Sequence, residues 1–514
     1  MAFRIDPAVR RSSLAIRSTL ERLRRQVIQS KRRPVPGNHP GPTLWLALIE
    51  GLIDTAELYL DNITAKKFGD SPAHILREAA RLTRRSYLEL TRMSGAGLED
   101  IPYPLVQPLQ RWFDQLNISN TIIFRAALND NYEILTLKKD WFIEGARIKS
   151  KSLERAIADI SWDIKRVTIP SKAFSYLPHM AIVAHEIGHV IYNRIPWDMS
   201  EFKNSDKSGI KAAITARLTK FDHKTSELLI EISQKWHEEI AADAASFFLV
   251  GPAAFFAFSE SVGYMGDALG LSATHPPNFL RRHFLYEALE KGGNKSFKAF
   301  FEKHTESTLS EDFNSALLPH LPNADEIFEL YFRTKKYDYR EAAIFAELSI
   351  RLHLVVPSIY GSVSKFLQEH HPDAIYSPEQ LDRDLTKHLT SLLRAVPPIE
   401  EGADLSEISL RVDPGTDDGR AAEQSLDDHL KSSTPVGFPS ILNVGWAAIL
   451  TKHAELRVKI TDAYNADCQK LDQLHNLLLK GIELSEAFRS WRSGDKGRQN
   501  RGKGHGDTLR IGNP

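Results

Sequence analysis

The sequence predicts an α+β protein that is predominantly helical. Apolar positions recur at a spacing of three to four residues through most of residues 1–100 and again after residue 177, which is the pattern of amphipathic helices. Three short runs rich in β-branched residues predict a small sheet between these helical parts; they lie at 120–128, 131–137 and 165–171. The length of 514 residues predicts several structural units rather than one core.

The order of these patterns divides the chain into six segments. They are a helical region (1–100), a mixed α+β domain (101–300), a helical extension (301–395), an acidic linker (396–440), C-terminal helices (441–490) and a basic disordered tail (491–514). In the first segment, Ser71 followed by Pro72 predicts a helix start. The linker is recognised by its acidic residues together with Pro and Gly, and the tail by its Gly and basic residues.

Cysteine content and hydropathy indicate a cytoplasmic protein. Cys468 is the single cysteine, which excludes an intramolecular disulfide and fits a reducing compartment. The N-terminus lacks the apolar core of a signal peptide. The uncharged stretch Ala244–Ser259 is interrupted by Gly251 and Pro252 and is short for a membrane span. We therefore expect no transmembrane segment; the oligomeric state is not predicted.

The first 33 residues carry ten Arg or Lys against Asp6 and Glu21. Such a segment suits nucleic acid or an anionic membrane, but a helix face exposed to solvent has the same composition. We favour the solvated face, and no nucleic-acid partner is expected.

The stretch "AIVAHEIGHVIY", residues 181–192, carries the first chemical motif. On a helix His185 and His189 lie on one face, one turn apart, as a chelating pair requires. Glu186 projects about 100 degrees from His185 and can address a water held by the same ion, as in the HExxH motif. The uncharged neighbours predict a helix buried on every side, in which a divalent cation compensates the buried polar groups. Close approach of another backbone would explain Gly188.

A catalytic zinc needs a third protein ligand, and "HEEIAADAAS", residues 237–246, offers one. Glu239 and Asp243 are four residues apart and share a helix face. Glu239 is the expected third ligand, and Asp243 is expected to accept a hydrogen bond from a ligand imidazole. Glu238 is the adjacent alternative ligand and His237 a weaker one. A pair of exposed acids on an amphipathic helix is the other interpretation of this spacing.

Together, "HEIGH" and "EIAAD" resemble the gluzincin metallopeptidases, in which HExxH is followed on a later helix by ExxAD. The branch of the CaaX prenyl endopeptidases looks most similar, although the membrane spans of its familiar members are not evident. The resemblance implies a zincin-like catalytic domain over 101–300, with a small sheet and an active-site helix. It also implies a Zn²⁺ ion held by His185, His189 and Glu239, with Glu186 as general base.

The segment "ATHPPNFLRR", residues 273–282, resembles the His-Pro segment with a following Arg that this branch often has. By that resemblance His275 would stabilise the transition state, with Arg281 or Arg282 in support. A turn residue before two prolines is an equally good interpretation of His275. His283, on the flanking helix, is less favoured.

These observations predict a hydrolase: a zinc metallopeptidase that cleaves peptide bonds in a protein or peptide substrate with a metal-activated water and Glu186 as base. The alternative is a zinc-binding regulatory or scaffolding protein with a zincin fold and no proteolytic activity. The intact Glu186 favours the enzyme, because a structural zinc needs no base. The run 166–174 before the motif is a candidate edge strand for substrate, or an ordinary strand of the sheet.

Overall fold

The computed structural model describes most of the chain outside the acidic linker. The described residues are 7–32, 40–63, 71–94, 103–118, 121–127, 132–137, 148–159, 164–174, 176–197, 207–264, 272–290, 295–305, 323–395, 397–398, 436–451 and 466–501. The predicted class is confirmed: the protein is predominantly helical, with one small mixed sheet.

The chain forms two compact units, Met1–Phe174 and Ser175–Pro514. This division does not coincide with the expected boundary at residue 100, because the sheet packs with the N-terminal helices. The described elements of the first unit are α1 (Pro7–Lys31), α2 (Pro40–Asp61), α3 (Pro72–Ser94), α4 (Tyr103–Gln115), β1 (Thr121–Ala127), β2 (Glu133–Leu137), α5 (Lys151–Asp159), β3 (Ile164–Pro170) and a 3₁₀ turn (Ser171–Phe174).

The core of the first unit lies between α1, α2, α3 and α5. Apolar residues at helical spacing, such as Leu20 and Leu52, are fully buried there. Several basic residues of α1 pair with acids of α2: Arg24 Nη2 lies 2.6 Å from Asp54 Oδ1, and Lys31 Nζ lies 2.5 Å from Glu50. These basic residues therefore neutralise a neighbouring helix within their own unit.

The sheet has the order β1-β3-β2, with β1 parallel and β2 antiparallel to β3. All seven residues of β3 are buried. The edge-strand interpretation of 166–174 is thus wrong, because β3 is paired on both sides. Helix α4 was not predicted; Pro108 lies inside it, and proline usually argues against a helix interior.

The second unit is almost entirely helical in its described part. Its elements are a 3₁₀ turn (Leu177–Ala181), α6 (Ile182–Tyr192), α7 (Lys207–Arg217), α8 (His223–Val250), α9 (Pro252–Tyr264), α10 (Asn278–Glu290), α11 (Lys295–His304), α12 (Ala324–Arg333), α13 (Tyr339–His370), a 3₁₀ turn (Pro372–Ala374), α14 (Pro378–Asp384), a π-helical turn (Leu385–Leu389), α15 (Thr390–Leu393), α16 (Phe438–Leu450) and α17 (Ala466–Arg501). Gly251, with φ of 59°, separates α8 from α9.

Helix α16 binds two segments of the same unit: the turn that precedes the motif helix α6 and the break that follows its partner helix α8. Trp446 Nε1 donates to the carbonyl of Pro178, 3.2 Å away, in the turn that leads into α6. Asn443 donates to the carbonyl of Val250 at 2.8 Å and accepts from the amide of Ala253 at 3.0 Å, which satisfies the buried break between α8 and α9. The C-terminal helices therefore belong to the unit that carries the motif.

The predicted linker and tail are described only in part. Residues 399–435 of the linker and 502–514 of the tail lie outside the described residues, whereas the tail as far as Arg501 continues helix α17.

Helix α13 is long and apolar enough to cross a membrane, and 61% of its most apolar window is buried, as in a core helix. The absence of a transmembrane segment stays a prediction.

A buried acid links α14 to α16. The hydroxyl of Tyr376 donates to Asp384 at 2.9 Å, and Gln380 donates to Ser440 at 3.0 Å. Burial raises the pKa of Asp384 to about 6, although hydrogen bonds from Ser440 and Tyr376 oppose the shift. Between about pH 4 and pH 6, Asp384 therefore keeps in the folded protein a proton that the unfolded chain has released.

Asp384→Asn is expected to change how stability depends on pH. Because the folded-state pKa is raised, the contribution of Asp384 is complete below about pH 4 and is lost as the pH rises through about 6. The unfolding free energy of the native protein, relative to Asp384→Asn, should fall by roughly 3 kcal/mol over this window. Urea denaturation of both proteins across the window measures this; a constant difference contradicts it.

Candidate metal centre

Helices α6 and α8 pack backbone to backbone. A Cβ added to Gly188 would lie 2.5 Å from the Cα and 2.6 Å from the carbonyl oxygen of Ala242. Only glycine allows this approach, which accounts for a residue that lowers helix propensity in the middle of α6. The small residues of "EIAADAAS" serve the same purpose on α8, and the approach brings the two motifs together.

One face of α6 stays open. Val183, Ala184, Ile187, Gly188 and Ile191 are buried, but the histidines and the glutamate of the motif are only partly buried. The expectation that α6 is buried on every side is wrong for this face. Its apolar residues pack against α8 and the preceding turn, while the polar residues share the remaining face. The motif is therefore accessible from outside the core.

The imidazoles of α6 converge on one carboxylate of α8. Nε2 of His185 lies 3.4 Å from Glu239 Oε2, and Nε2 of His189 lies 3.6 Å from Glu239 Oε1. Both distances exceed the usual range of hydrogen bonds, about 2.7–3.2 Å. They are close to the separation of about 3.3–3.4 Å expected for two ligand atoms bound tetrahedrally to one zinc ion at about 2.0–2.1 Å. Glu239 Oε2 is buried without a hydrogen-bond partner in the described part of the chain.

The other nitrogen of each imidazole faces a second carboxylate. Nδ1 of His185 lies 2.9 Å from Asp243 Oδ1, and Nδ1 of His189 lies 3.2 Å from Glu238 Oε1. A carboxylate at Nδ1 fixes the proton on that nitrogen and leaves Nε2 as the lone-pair donor, the arrangement common in metal sites. Glu238, expected as an alternative ligand, is therefore placed as the acceptor behind His189.

Arg281, from α10, completes the charge arrangement. Its Nε and Nη2 each donate to Asp243 at 2.8 Å, Nη2 lies 3.3 Å from Glu239 Oε2, and its guanidinium stacks over Phe258 at 4.6 Å. Arg282 points elsewhere, with its guanidinium 6.0 Å from the ring of Phe255. Of the two arginines left open by the sequence, Arg281 is the one at the centre.

These contacts shift the pKa of each group. Burial raises the pKa of Glu239, but Arg281 and the histidines outweigh burial and hold it well below its ordinary value. Burial lowers the pKa of His185, but the neighbouring carboxylates of Asp243 and Glu239 outweigh burial and raise it to about 10. Burial raises the pKa of Glu186 despite both histidines. A metal ion would therefore have to displace a proton from His185 on binding.

His275 lies at the rim. Its Nε2 is 3.3 Å from Glu239 Oε1, and its Nδ1 lies 2.8 Å from the hydroxyl of Thr274 and 3.2 Å from that of Ser272. Burial lowers the pKa of His275, while Glu239 opposes the shift. In the tautomer whose Nδ1 accepts from these hydroxyls, the neutral imidazole carries its proton on Nε2, toward the centre.

His237 and His283 make their described contacts elsewhere than at Glu239. His237 packs between Trp197 and Tyr192, with ring centroids 4.5 and 5.6 Å away, and burial lowers its pKa to about 4. His283 pairs with Glu287, one turn along α10, at 3.3 Å. Neither is brought to Glu239 by a described contact.

The donor set suits a divalent cation. One ligand atom from each of His185, Glu186 and His189 lies within 4.8 Å of the others, and Glu239 faces both imidazoles. The three carboxylates of Glu186, Glu239 and Asp243 exceed the guanidinium of Arg281 by two negative charges when both imidazoles are neutral. Buried charge of this kind is costly unless it is compensated, and a divalent cation would balance it.

Comparison with known proteins found no match to a family model, a curated protein or a solved structure. The chemistry of this site therefore rests on its own residues.

The close packing of α6 against α8 predicts that Gly188→Ala destabilises the second unit, because the added methyl group meets backbone atoms of Ala242. Overpacking of this kind typically costs about 1–3 kcal/mol. Gly361→Ala in α13 is the matched control, since a Cβ there meets nothing within 4 Å. Thermal unfolding should show a lower midpoint for the first variant and an unchanged or higher one for the second. Equal midpoints would contradict the close approach.

The carboxylate roles predict a graded loss of zinc affinity. Glu239→Gln is expected to weaken binding most, because it removes a ligand oxygen's charge, and Glu238→Gln by about tenfold through loss of the His189 partner. Glu231→Gln, exposed on the same helix, serves as the control. Competition with a chromophoric chelator measures all three; a larger loss for Glu238→Gln than for Glu239→Gln would exchange the two assignments.

Proposed function

We propose that the protein is a zinc-dependent metallopeptidase of the gluzincin type, with α6 as the active-site helix of a zincin-like fold and Zn²⁺ as cofactor. The observation that carries the proposal is the convergence of two imidazole Nε2 atoms on Glu239 while both Nδ1 atoms face carboxylates. A hydrogen-bonded helix pair does not require this arrangement, whereas a metal centre with oriented ligands does.

His185, His189 and Glu239 would hold the ion. When bound there, zinc lowers the pKa of a water molecule and polarises a carbonyl group of the substrate. Three protein ligands leave a fourth position, as catalytic zinc sites do. The open face of α6 lies on this side, so that position would be accessible to a peptide.

Glu186 is proposed as the general base. Glu186 lies between His185 and His189 in α6 and is only partly buried. Burial raises the pKa of its carboxyl group. A carboxylate with a raised pKa is a better proton acceptor near neutral pH. Glu186 would take a proton from the attacking water and pass it to the leaving amine of the cleaved peptide bond.

His275 and Arg281 are proposed to stabilise negative charge. The Nε2 proton of His275 faces the centre and would donate to the oxyanion that develops on the substrate carbonyl. Arg281 is buried and is bound bidentately by Asp243, so its role is to keep Asp243 ionised behind His185. His275 is the more accessible of the two, with its side chain 50% exposed.

A zinc-binding scaffold without proteolytic activity is the second candidate. A structural site usually fills its fourth position with protein and needs no base. The open face of α6 and the position of Glu186 support the enzyme instead.

Glu186→Gln separates the two candidates. The variant should bind one zinc per chain as the native protein does, because Glu186 is not among the proposed ligands, and should lose at least about 100-fold in peptidase rate. Metal analysis paired with cleavage of casein or a peptide library gives both readouts, with Glu231→Gln as the matched control. Zinc bound by the native protein with no cleavage of any substrate would favour the scaffold; no zinc bound after zinc is supplied would refute both.

A further inference from the structure

A second concave site lies in the same unit, about one to two turns further along α10 than Arg281. It is a cavity of about 520 Å³ between α8, α10, α11 and α13, closed by residues 375–378. Five aromatic rings line it: Phe248, Phe284, Phe297, Tyr360 and Tyr376. None of the proposed metal ligands is among its lining residues.

The floor of the cavity is apolar and closely packed. Phe284, Phe297 and Tyr376 are buried, and the rings of Phe297 and Tyr376 stack with an interplanar angle of 5°. Tyr360 packs edge-on against Phe248 at 6.3 Å. The volume falls in the range of about 300–1,000 Å³ that small-molecule sites occupy, and such sites are lined mainly by apolar and aromatic groups.

The mouth of the cavity has room for a ligand to enter. Pro357, Gly361 and Gln368 of α13 line it and are exposed. A Cβ added to Gly361 would meet nothing within 4 Å. Because a Cβ has open space there and the position is exposed, a side chain introduced at residue 361 can narrow the mouth while the helix backbone is kept.

The described residues that line the cavity include one acidic side chain and no basic one. The acidic side chain is Glu287, and none of these described residues is Lys, Arg or His. Glu287 Oε1 lies 3.3 Å from Nε2 of His283, one turn earlier in α10. Burial raises the pKa of Tyr360 well above its ordinary value, so its hydroxyl stays neutral. A carboxylate beside aromatic faces attracts a cation and disfavours an anion.

We propose that this cavity binds an apolar small molecule that carries one ammonium group. The apolar body packs on the rings of Phe284, Phe297 and Tyr376, and the ammonium group lies at Glu287, near the ring faces of the wall. The cavity is distinct from the metal centre, and its ligand binds whether or not the protein is a peptidase.

Three eight-carbon probes with different head groups test the proposal: octylammonium, 1-octanol and octanoate. Titration calorimetry on the full chain should show octylammonium binding at least about tenfold more tightly than 1-octanol, with octanoate weakest. Glu287→Gln should remove the preference for octylammonium and leave 1-octanol binding unchanged. A preference for octanoate, or binding of none of the probes, would overturn the proposal.

Two substitutions of Gly361, at the mouth of the cavity, test whether octylammonium binds inside it. Gly361→Leu should lose octylammonium binding, whereas Gly361→Ala should keep it, and both variants should unfold at or above the native temperature. Unchanged octylammonium binding by a folded Gly361→Leu would place the ligand elsewhere and overturn the assignment. Zinc content, expected to be equal in both variants, shows that the metal centre is not what was changed.

Discussion

The site depends on the backbone contact between α6 and α8 at Gly188 and Ala242. A Cβ at Gly188 would lie 2.5 Å from the Cα of Ala242, so the two helices approach each other here without room for a side chain. At this separation side chains on either flank of the contact reach across it, so His185 meets Glu239 and Asp243 while His189 meets Glu238 and Glu239. A methyl group at Gly188 would separate the helices and lengthen all four contacts together.

Charge is the second constraint. Glu239 and Asp243 are nearly fully buried, and Arg281 is the cation that accompanies them inside. Arg281 donates two hydrogen bonds to Asp243 at 2.8 Å but lies 3.3 Å from Glu239 Oε2. The guanidinium is therefore bound closely to Asp243 and only loosely to Glu239. Asp243 is fixed as an acceptor behind His185, and Glu239 keeps a buried oxygen toward the imidazoles. Such an uneven distribution of partners is what the proposed roles require, with Asp243 as the orienting carboxylate and Glu239 as the metal ligand.

Local spacing was enough to predict much of this from sequence. The shared face of His185 and His189, the shared face of Glu239 and Asp243 and the three strands follow from residue periodicity, and the helix start at Pro72 follows from the Ser-Pro pair. What spacing does not contain is long-range geometry. Sequence left Arg281 and Arg282 equivalent, because only the packing of α10 against α8 decides which one turns inward. The central position of β3 and the contact of Glu238 with His189 depend on packing in the same way.

The bonds that α16 makes to the motif unit have a consequence for biosynthesis. Asn443 and Trp446 bind residues that precede them by 193 and 268 positions, so a ribosome completes α16 long after its partners beside α6 and α8 have been synthesised. At about 5–20 residues per second this interval is on the order of 10–50 s. During it the break at Gly251 lacks the amide that satisfies it. The nascent chain therefore passes through a stage at which the helices that carry the two motifs exist but their supporting turns are not yet fixed.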